Sequence, residues 1–512
     1  MTDIGPEVRT ASGTVRGRRA DGLVVFRGIP FAQPPVGARR FAAPQPPRPW
    51  DGVRDAVEFG PAQPQSGPLR SAGAAGTEWL TVNVWSPDLG TARLPVLVWI
   101  YGGAYMSGSS GDPVYDAGLI ARQGLVVVSF NYRVGVEGFA QLGGAPANRG
   151  LLDQIAALHW VRQNIVRFGG DPQRVTLCGQ SSGAGSIATL LTMPLAAGLF
   201  QRAIAQSVPG TYYTPALAAD IAAALADRLG AAPTVAGLGA IDPQRLADEV
   251  DLLSSELPVH ADRWGRVAHG GLLFSPVVDG EVVPDVPWRA LTDGGAAGVE
   301  LLTGHNRDEF RLFPALSGRL GKITEQDAAT ALRIFAPGTD GEQAYRSNYP
   351  HACAEDLYEL VHSDAMFRMP TLHLAQAHTA AGGTAFLYDP HQRRAAPWVP
   401  VTPWMCYYCS APSAVPSAGS CWGWRNPPLR RSPSRARSTA PGRRSPPTVI
   451  PAGPPTRKTS SSPACSTPTR VRRPTQWSPP SGSGADTTSI HSTCFDGLAA
   501  RGCRAGVLRP NS

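Results

Sequence analysis

The chain has 512 residues, 42% hydrophobic and 17% charged, which is enough for one large α/β domain or several smaller domains. No run approaches the roughly 18 apolar residues of a membrane span, and the N-terminus lacks the apolar core of a secretory signal, so a cytoplasmic protein is expected. The net charge of +8 is unevenly distributed. Residues 401–512 hold 15 Arg or Lys residues and two acidic residues, whereas residues 1–400 hold 32 Arg or Lys residues and 37 acidic residues.

Cysteine usage separates the same two parts of the chain. Six of the eight cysteines lie in the basic tail, and only Cys178 and Cys353 belong to the body. A disulfide-based scaffold is therefore not expected in the body, which must rely on an apolar core.

Four apolar runs of strand length follow one another in the first half of the body, each bounded by Gly, Pro or Asp. They cover residues 80–87, 95–103, 124–133 and 174–183. Continuous β-branched runs suit strands that are covered on both faces, as in parallel sheets. These runs predict the strands of a buried sheet.

Helical patterns lie between and after these runs. Ile155, Leu158, Val161 and Ile165 repeat at helical spacing, and the glycines at 169–170 end the pattern. Residues 214–260 are rich in Ala and Leu and are predicted to form helices beside the sheet. The alternation of strands and helices predicts an α/β fold with a central, mostly parallel sheet flanked by helices.

The fourth apolar run leads into a G-x-S-x-G pattern centred on Ser181. It follows a predicted strand and precedes a helix-like run, which is the setting of a nucleophile elbow. Small residues at Gly179 and Gly183 let the backbone turn sharply, and the helix N-terminus favours developing negative charge. The alternative is a Gly/Ser turn without chemistry, but the setting favours Ser181 as a nucleophile.

The run 95–103 ends in Tyr101-Gly102-Gly103-Ala104, a small-residue turn after a strand. Such a turn lets backbone N–H groups approach a carbonyl oxygen, as the HGGG-type loop of esterases does. We expect the N–H groups of Gly103, Ala104 and Ser182 to form an oxyanion hole. The alternative is a plain glycine turn.

With these motifs the chain resembles the type-B carboxylesterases, the α/β-hydrolase family of cholinesterases and bacterial p-nitrobenzyl esterases. The resemblance covers about residues 8–390. The matching stretches are FRGIPFAQPPVGARRF, LTVNVWSP, LVWIYGGAYMSG, NYRVG, NRGLLDQ, NIVRFGGDPQRVTLCGQSSGAGS and TGHNRDEF. It implies an α/β-hydrolase fold, hydrolysis of a small-molecule carboxylic ester, no metal or other cofactor, and no nucleic-acid or membrane partner.

The resemblance also implies the acid of a catalytic triad. The family carries it in a G-x-N-x-D-E-G-like segment, which corresponds here to residues 304–309 and makes Glu309 the acid, with Asp308 as the competing candidate. Two departures stand out. Gln180 precedes the serine where the family usually has Glu, and the segment 78–80 lacks a cysteine that pairs in secreted members.

A serine esterase needs a histidine base, and the chain lacks the segment in which the family carries it. That segment resembles Gly-Ala-x-His-x-x-Asp, and none of the ten histidines has these neighbours. His391 is the nearest in sequence, but Pro390 and Gln392 do not match the pattern.

The stretch PWVPVTPWMCYYCSAPS at residues 397–413 accounts for the missing histidine when its codons are considered. Starting on the third base of Trp404, the codons of residues 404–409 give Asp-Val-Leu-Leu-Leu without ambiguity. Reading from the third base of Trp398 in the same way gives a first codon that must encode Gly. The next three codons can encode Ala, Cys and His, in that order. The shifted frame therefore allows Gly-Ala-Cys-His-x-x-Asp-Val-Leu-Leu-Leu, with the histidine codon spanning Val401 and Thr402.

We infer a frameshift between about Leu387 and Pro397, either genuine or a sequencing error. It implies an incomplete esterase domain at 1–395 and an out-of-frame tail at 396–512, lacking the last strands and helix of the family fold. The CxxC pair Cys406 and Cys409 and the Arg-Arg pairs of the tail then carry no metal, redox or nucleic-acid function.

The tail's composition also predicts that most of residues 410–485 is disordered, because a Pro/Ser/Arg-rich segment with few large aliphatic residues cannot offset its ordering entropy. Two hypotheses follow for the whole chain. It is a serine carboxylesterase by family, weak or inactive in this form, or a non-catalytic α/β-hydrolase-like protein.

Overall fold

The computed structural model describes residues 5–71, 76–90, 92–388 and 507–508. Four features of the sequence analysis therefore lie outside the described residues. They are His391, the predicted domain boundary at 395, the stretch 397–413 and the segment predicted to be disordered. No helix in the described ranges has both the length and the apolar character needed to cross a membrane.

Two sheets are present in the described part of the chain. The strands are β1 Glu7–Arg9, β2 Thr14–Arg16, β3 Arg18–Ala20, β4 Leu23–Pro30, β5 Val53–Asp55, β6 Thr81–Ser86, β7 Leu94–Ile100, β8 Val126–Phe130, β9 Gly170–Gln180, β10 Arg202–Gln206, β11 Glu300–Gly304, β12 Ala385–Tyr388 and β13 Val507–Leu508. A ten-stranded sheet has the order β13-β12-β11-β10-β9-β7-β8-β6-β4-β3, and β1, β2 and β5 form a separate three-stranded sheet.

Helices cover the large sheet and fill the connections between its strands. They are α1 Gly118–Ala121, α2 Gly135–Phe139, α3 Arg149–Asn164, α4 Ser182–Leu190, α5 Pro215–Arg228, α6 Val235–Gly239, α7 Pro243–Ser255, α8 Ala261–Trp264, α9 Arg266–Gly270, α10 Pro287–Ala290, α11 Leu312–Leu316, α12 Glu325–Phe335, α13 Gly341–Asn348, α14 Ala354–Ser363 and α15 Met369–Ala380. A π-helix, Asp364–Arg368, joins α14 to α15.

The centre of the large sheet is parallel, as predicted. The strands β12, β11, β10, β9, β7 and β8 pair in parallel, whereas β6, β4 and β3 continue the sheet antiparallel at one side. Every residue of β6 and β8 is buried, which explains the nearly continuous apolar sequence of β8, VVVSF, although β6, TVNVWS, also buries polar residues.

The predicted helix after the third strand is confirmed as α3. A short 3-10 turn follows it, and Gly169 ends the turn in the left-handed region at φ 84°. The predicted helical region 214–260 contains α5, α6 and α7, each begun by a side-chain cap from Thr214, Thr234 or Asp242.

A buried ion pair joins two of the sequence motifs. Arg133, from NYRVG, donates from Nε to Asp153 Oδ2 at 2.8 Å and from Nη2 to Asp153 Oδ1 at 2.8 Å, and Asp153 belongs to NRGLLDQ. Both side chains are fully buried. The pair fixes α3 against the loop after β8, so these motif residues support the fold rather than the chemistry.

The register of the parallel strands aligns their carboxyl ends. Gln180 on β9 pairs with Gln206 on β10, and Gln206 pairs with Gly304 on β11. The residues that follow these strands therefore emerge side by side at one edge of the sheet, which is where open α/β sheets place their sites.

Candidate active site

Ser181 lies in a strained turn between β9 and α4. Its backbone has φ 56° and ψ −127°, a conformation that costs a non-glycine residue energy and persists only where the surroundings enforce it. The Ser181 N–H donates to the Gln206 carbonyl oxygen at 3.0 Å, and the Ser181 carbonyl accepts from Gly185 N–H at 2.9 Å. The side chain is partly exposed at the N-terminus of α4, as expected for a nucleophile elbow.

The glycines of the G-x-S-x-G motif are required by close packing against β7. A Cβ atom on Gly183 would lie 2.1 Å from the Ile100 carbonyl oxygen, and one on Gly179 would lie 2.8 Å from the same atom. Backbone atoms in a sheet cannot move away easily, so only glycine fits. The elbow therefore depends on contact between β9, α4 and the end of β7.

The predicted oxyanion turn lies directly against this elbow. A Cβ on Gly102 would be 3.1 Å from Ser181 Cβ and 2.7 Å from the Gln180 carbonyl oxygen. Gly103 has φ 129°, and Ala104 has φ 58°. Among the described residues, no acceptor takes up the N–H groups of Gly103, Ala104 or Ser182. The turn that carries Gly103 and Ala104 therefore packs, through Gly102, directly against the proposed nucleophile.

Hydrogen bonds hold both ends of the oxyanion turn. Tyr132 Oη donates to the Tyr101 carbonyl oxygen at 2.8 Å, and the two rings stack at 4.5 Å between centroids. At the far end, the Gln65 side chain donates to the Gly108 carbonyl oxygen at 2.9 Å and accepts from its N–H at 2.9 Å. The turn is therefore preorganised by buried neighbours distant in sequence, Gln65 and Tyr132.

Glu309 lies in the loop that follows β11, which we name the acid loop and define as residues 305–310. Its Oε1 accepts from Asn306 N–H at 2.6 Å, and its Oε2 lies 3.3 Å from Asn306 Nδ2. The carboxylate is enclosed by protein on most sides, yet the residue keeps a partly exposed surface. A fixed carboxylate that borders solvent-accessible space can orient a base.

Burial is the main influence on the Glu309 carboxyl and raises its pKa. The Ser207 hydroxyl, Asn306 and the positive charge of Arg368 act in the opposite direction and favour the carboxylate. Among the described residues, the buried Ser207 Oγ has no hydrogen-bond partner, so Ser207 acts on Glu309 from beyond hydrogen-bonding distance or angle. These neighbours favour the ionised form of the acid, and burial, the larger influence, opposes it.

Asp308, the competing acid, lies in a different environment. Its Oδ2 accepts from Arg307 Nη2 at 2.7 Å, in a pair whose arginine is 66% exposed. A carboxylate neutralised by a neighbouring exposed arginine is a poor partner for an imidazole. The geometry therefore favours Glu309.

Ser207 was missed by the sequence interpretation. It follows β10 directly, has φ 57° and donates its N–H to the Gly304 carbonyl oxygen at 2.8 Å. Its place after a parallel strand, between Ser181 and Glu309 in the strand order, is the signal that identifies it. The strand β10 is short, and its sequence, RAIAQ, carries no motif.

An apolar wall adjoins the oxyanion turn. Leu272, Phe310, Met366 and Phe367 form a buried cluster, and Ala104 and Phe313 pack against it. The wall places apolar surface beside the proposed donor Ala104. Such surface suits the carbon chain of an ester.

Three of the described histidines lie within hydrogen-bonding distance of backbone carbonyl oxygens. His362 Nδ1 lies 2.7 Å from the Tyr358 carbonyl oxygen, His378 Nε2 lies 2.8 Å from the Val299 carbonyl oxygen, and His305 Nδ1 lies 2.9 Å from the Asn306 carbonyl oxygen. These bonds are to backbone carbonyls rather than to a carboxylate.

The described residues contain no group of three or more His, Cys, Asp or Glu side chains suited to a metal ion. The two cysteines among them, buried Cys178 and partly exposed Cys353, form no disulfide with each other.

Similarity to known proteins agrees with this arrangement. A profile of the Carboxylesterase family matches residues 5–415. The para-nitrobenzyl esterase of Bacillus subtilis is 36% identical over 382 residues, which cover 73% of this chain and 76% of that protein. The acetylcholinesterase of Bungarus fasciatus is 36% identical over 391 residues, covering 70% of this chain and 61% of that protein.

Solved structures show the same fold. A carboxylesterase of Geobacillus stearothermophilus, crystallised at pH 6.8, superposes with a TM-score of 0.64 at 35% identity, over 75% of this chain and 79% of that one. The expected α/β-hydrolase architecture is therefore confirmed. The extent of the family match and these likenesses together establish that the chain belongs to the carboxylesterase family and is a serine esterase by family.

Proposed function

We propose that the body of the chain hydrolyses a small-molecule carboxylic ester through an acyl-enzyme on Ser181. The observation that carries the proposal is the contact between the strained Ser181 turn and the glycine turn at 102–104. The serine hydroxyl and the proposed N–H donors thus belong to adjoining turns above the sheet edge. Acyl transfer needs both groups within reach of one carbonyl.

The reaction follows from the roles of these groups. The Ser181 Oγ bonds to the ester carbonyl carbon while its proton passes to a base, and the carbonyl oxygen becomes an oxyanion. The Gly103, Ala104 and Ser182 N–H groups donate to that oxyanion, so their bonds strengthen as charge develops. The C–O bond to the alcohol then breaks, and the alcohol leaves with the proton. Water repeats the sequence and releases the acid, with Glu309 orienting the base.

The base is the missing part. We propose that the triad histidine lies in the reading frame offset from residues 398–409 and that this chain is consequently weak or inactive. The family match ends at residue 415, so the resemblance covers little of the basic tail. DNA sequencing across codons 385–400 tests this proposal, since a clean read without a recoverable second frame contradicts it.

The proposed substrates are small carboxylic esters. The esterase relatives and the apolar wall beside Ala104 support this class of substrate. Neither a metal nor another cofactor has a step in this chemistry. A cytoplasmic location also belongs to the proposal, and the buried free thiol of Cys178 agrees with a reducing compartment.

The test is hydrolysis of p-nitrophenyl acetate by the full chain, by its Ser181→Ala variant and by Ser317→Ala, an exposed control serine. We expect slow turnover of the full chain that Ser317→Ala leaves unchanged, because losing one triad member costs about 10⁴–10⁶ in rate. In a chain with the reading frame repaired, fast turnover that is unaffected by Ser181→Ala contradicts the serine mechanism. Ordinary fast turnover of the present chain that depends on Ser181 contradicts the missing base instead.

A second candidate function is a non-catalytic binding protein on the same fold, favoured by the lack of a matching histidine segment. The same assay separates the two. If repair of the reading frame leaves Ser181-dependent turnover undetectable, the non-catalytic candidate is favoured.

A further inference from the structure

The π-helix Asp364–Arg368 lies between the two parts of the site. Its residue Met366 accepts a hydrogen bond through its carbonyl oxygen from Gly210 N–H at 2.8 Å, close after β10. Its last residue, Arg368, reaches the acid loop. Single-turn π-helices inside α-helices are rare and frequent at functional sites. This one connects the segment after β10 with the loop that carries Glu309.

Arg368 anchors the acid loop on one side of Glu309. Its Nη2 donates to the Arg307 carbonyl oxygen at 2.8 Å, across 61 positions of sequence. Its Nη1 bonds to Asp364, whose Oδ2 accepts from Tyr345 Oη at 2.7 Å. The guanidinium is only 17% exposed, so the pair with Asp364 fixes its direction. The arginine is thus a rigid donor rather than a mobile surface charge.

A second anchor holds the other side of Glu309. The Phe310 N–H donates to Ser363 Oγ at 2.9 Å and to Glu359 Oε1 at 3.2 Å. Ser363 Oγ itself donates to Glu359. Both side chains come from the last turns of α14, which runs directly into the π-helix. One continuous helical segment therefore grips the backbone on both sides of the acid.

Charge acts in the same direction as these bonds. The positive charge of Arg368 lowers the pKa of Glu309 and opposes the effect of burial. Asp364 neutralises part of that charge, which leaves the hydrogen bond to the Arg307 carbonyl as the directional contact. Sequence similarity alone gives no reason to single out an arginine here, because its partner is a backbone carbonyl.

We propose that Arg368 is a positioning residue for Glu309, fixing the backbone of the acid loop and favouring the ionised carboxylate. The inference rests on the proposed role of Glu309 as the triad acid. It does not require Arg368 to touch substrate or any reacting atom. Its functional consequence is a correctly placed and charged acid.

The test compares Arg368→Gln, Arg368→Lys and the control Arg162→Gln in the full chain, using two measurements that need no turnover. Hydrogen exchange follows the Asn306 and Phe310 amides, and a titration of ¹³Cδ-labelled glutamate follows Glu309, identified by the signal lost in Glu309→Gln. For Arg368→Gln we expect about tenfold faster exchange of these amides, as for the loss of one charge-assisted hydrogen bond. We also expect Glu309 to titrate at higher pH.

Arg368→Lys keeps the charge but not the planar fork, so its Glu309 titration should stay near that of the parent while the loop exchanges faster. Arg162, exposed on α3, should change neither measurement. The proposal is overturned if Arg368→Gln changes neither amide exchange nor the Glu309 titration. It is also overturned if amide exchange rises across the whole chain while the pH at which Glu309 titrates is unchanged. A failed esterase assay leaves both measurements readable, so the two failures are distinguishable.

Discussion

At the scale of single residues, environment rather than residue type distinguishes the two adjacent acids. Asp308 and Glu309 are neighbours in sequence, but Asp308 pairs with exposed Arg307 while Glu309 turns inward to Asn306. Because the Glu309 side chain points into the protein and bonds to Asn306, its carboxylate is held in one orientation and its charge is shielded from solvent. A shielded carboxylate interacts more strongly with a nearby imidazolium than a solvated one does.

This difference predicts unequal effects of two matched substitutions in a chain whose reading frame has been repaired. Glu309→Gln should lower kcat by about 10³–10⁴, because the amide neither holds the histidine tautomer nor stabilises its charged form. Asp308→Asn removes only an exposed ion pair and should change kcat less than about tenfold. Ester hydrolysis at saturating substrate measures both, and the assignment fails if Asp308→Asn proves the more damaging.

The residues of the site differ in how far the sequence could predict them. Local motifs predict Ser181 and Gly103, because strained turns need small residues at fixed positions in the sequence. Ser207 and Arg368 have no such motif, since their roles arise from strand register and from a bond across 61 positions. Contacts of that kind depend on the folded chain and leave no local pattern.

At the scale of secondary-structure elements, α14 supports the acid loop through an aromatic cluster as well as through hydrogen bonds. The His362 ring stacks on Phe310 at 4.1 Å and 15°, and it also contacts Phe335 and Tyr358 at 4.5 and 4.2 Å. Its Nδ1 lies 2.7 Å from the Tyr358 carbonyl oxygen. Burial lowers the pKa of His362 to about 4, and the charges of His269 and Arg319 act in the same direction.

The cluster predicts an acid-labile fold. Because the folded pKa of His362 lies below the usual 6.5, the unfolded chain takes up the proton first. The stability that the folded chain gains from keeping His362 neutral is therefore fully present above pH 6.5. It falls as the pH drops towards 4, and below pH 4 the free energy of unfolding no longer changes with this group. Between pH 7.5 and pH 5 the loss amounts to about 2 kcal/mol.

Urea unfolding at these two pH values measures the loss. His362→Phe keeps a ring in the cluster and should lose about 2 kcal/mol less than the parent over this interval. His351→Gln, at an exposed position, should match the parent. Equal acid sensitivity of parent and His362→Phe contradicts the assignment.

The elements themselves were partly predictable. The buried strands β6 to β9 lie in long apolar runs and the helix α3 has a clear helical period, and each was found where expected. The small sheet of β1, β2 and β5 was not predicted, because its strands are three residues long and only Val8 and Val15 in them are buried. The short strands β10 and β12 were likewise not singled out, since pairing within the sheet rather than local sequence defines them.

At the scale of the whole molecule, the proposed site is assembled from loops at the carboxyl ends of parallel strands. Ser181, Ser207 and the acid loop leave adjacent strands in register, so the sheet fixes their spacing before any side chain contributes. The family match ends at residue 415, and the remaining sequence is the basic tail. Under the proposed frameshift, the body holds the serine and the acid of the proposed triad, and the histidine lies in the shifted frame after β12.

This division of the site predicts that a base supplied from solution restores part of the activity. Free imidazole can accept the Ser181 proton and donate its own N–H to Glu309, which keeps a partly exposed surface. We expect saturable imidazole to raise the Ser181-dependent hydrolysis of p-nitrophenyl acetate by the full chain about tenfold, a fraction of what a positioned base supplies. Imidazole also hydrolyses this ester by itself, so the Ser181→Ala variant at the same imidazole concentration supplies the background.

A chain with the frame restored over the histidine segment completes the comparison. It should be faster without imidazole than the present chain is with it, and imidazole should add nothing, because its own histidine then lies between Ser181 and Glu309. Glu309→Gln in the present chain should weaken the imidazole response, since the carboxylate that orients the free base is gone. If imidazole acts equally on the present chain and on Ser181→Ala, and frame restoration brings no gain, the missing base is not what limits this protein.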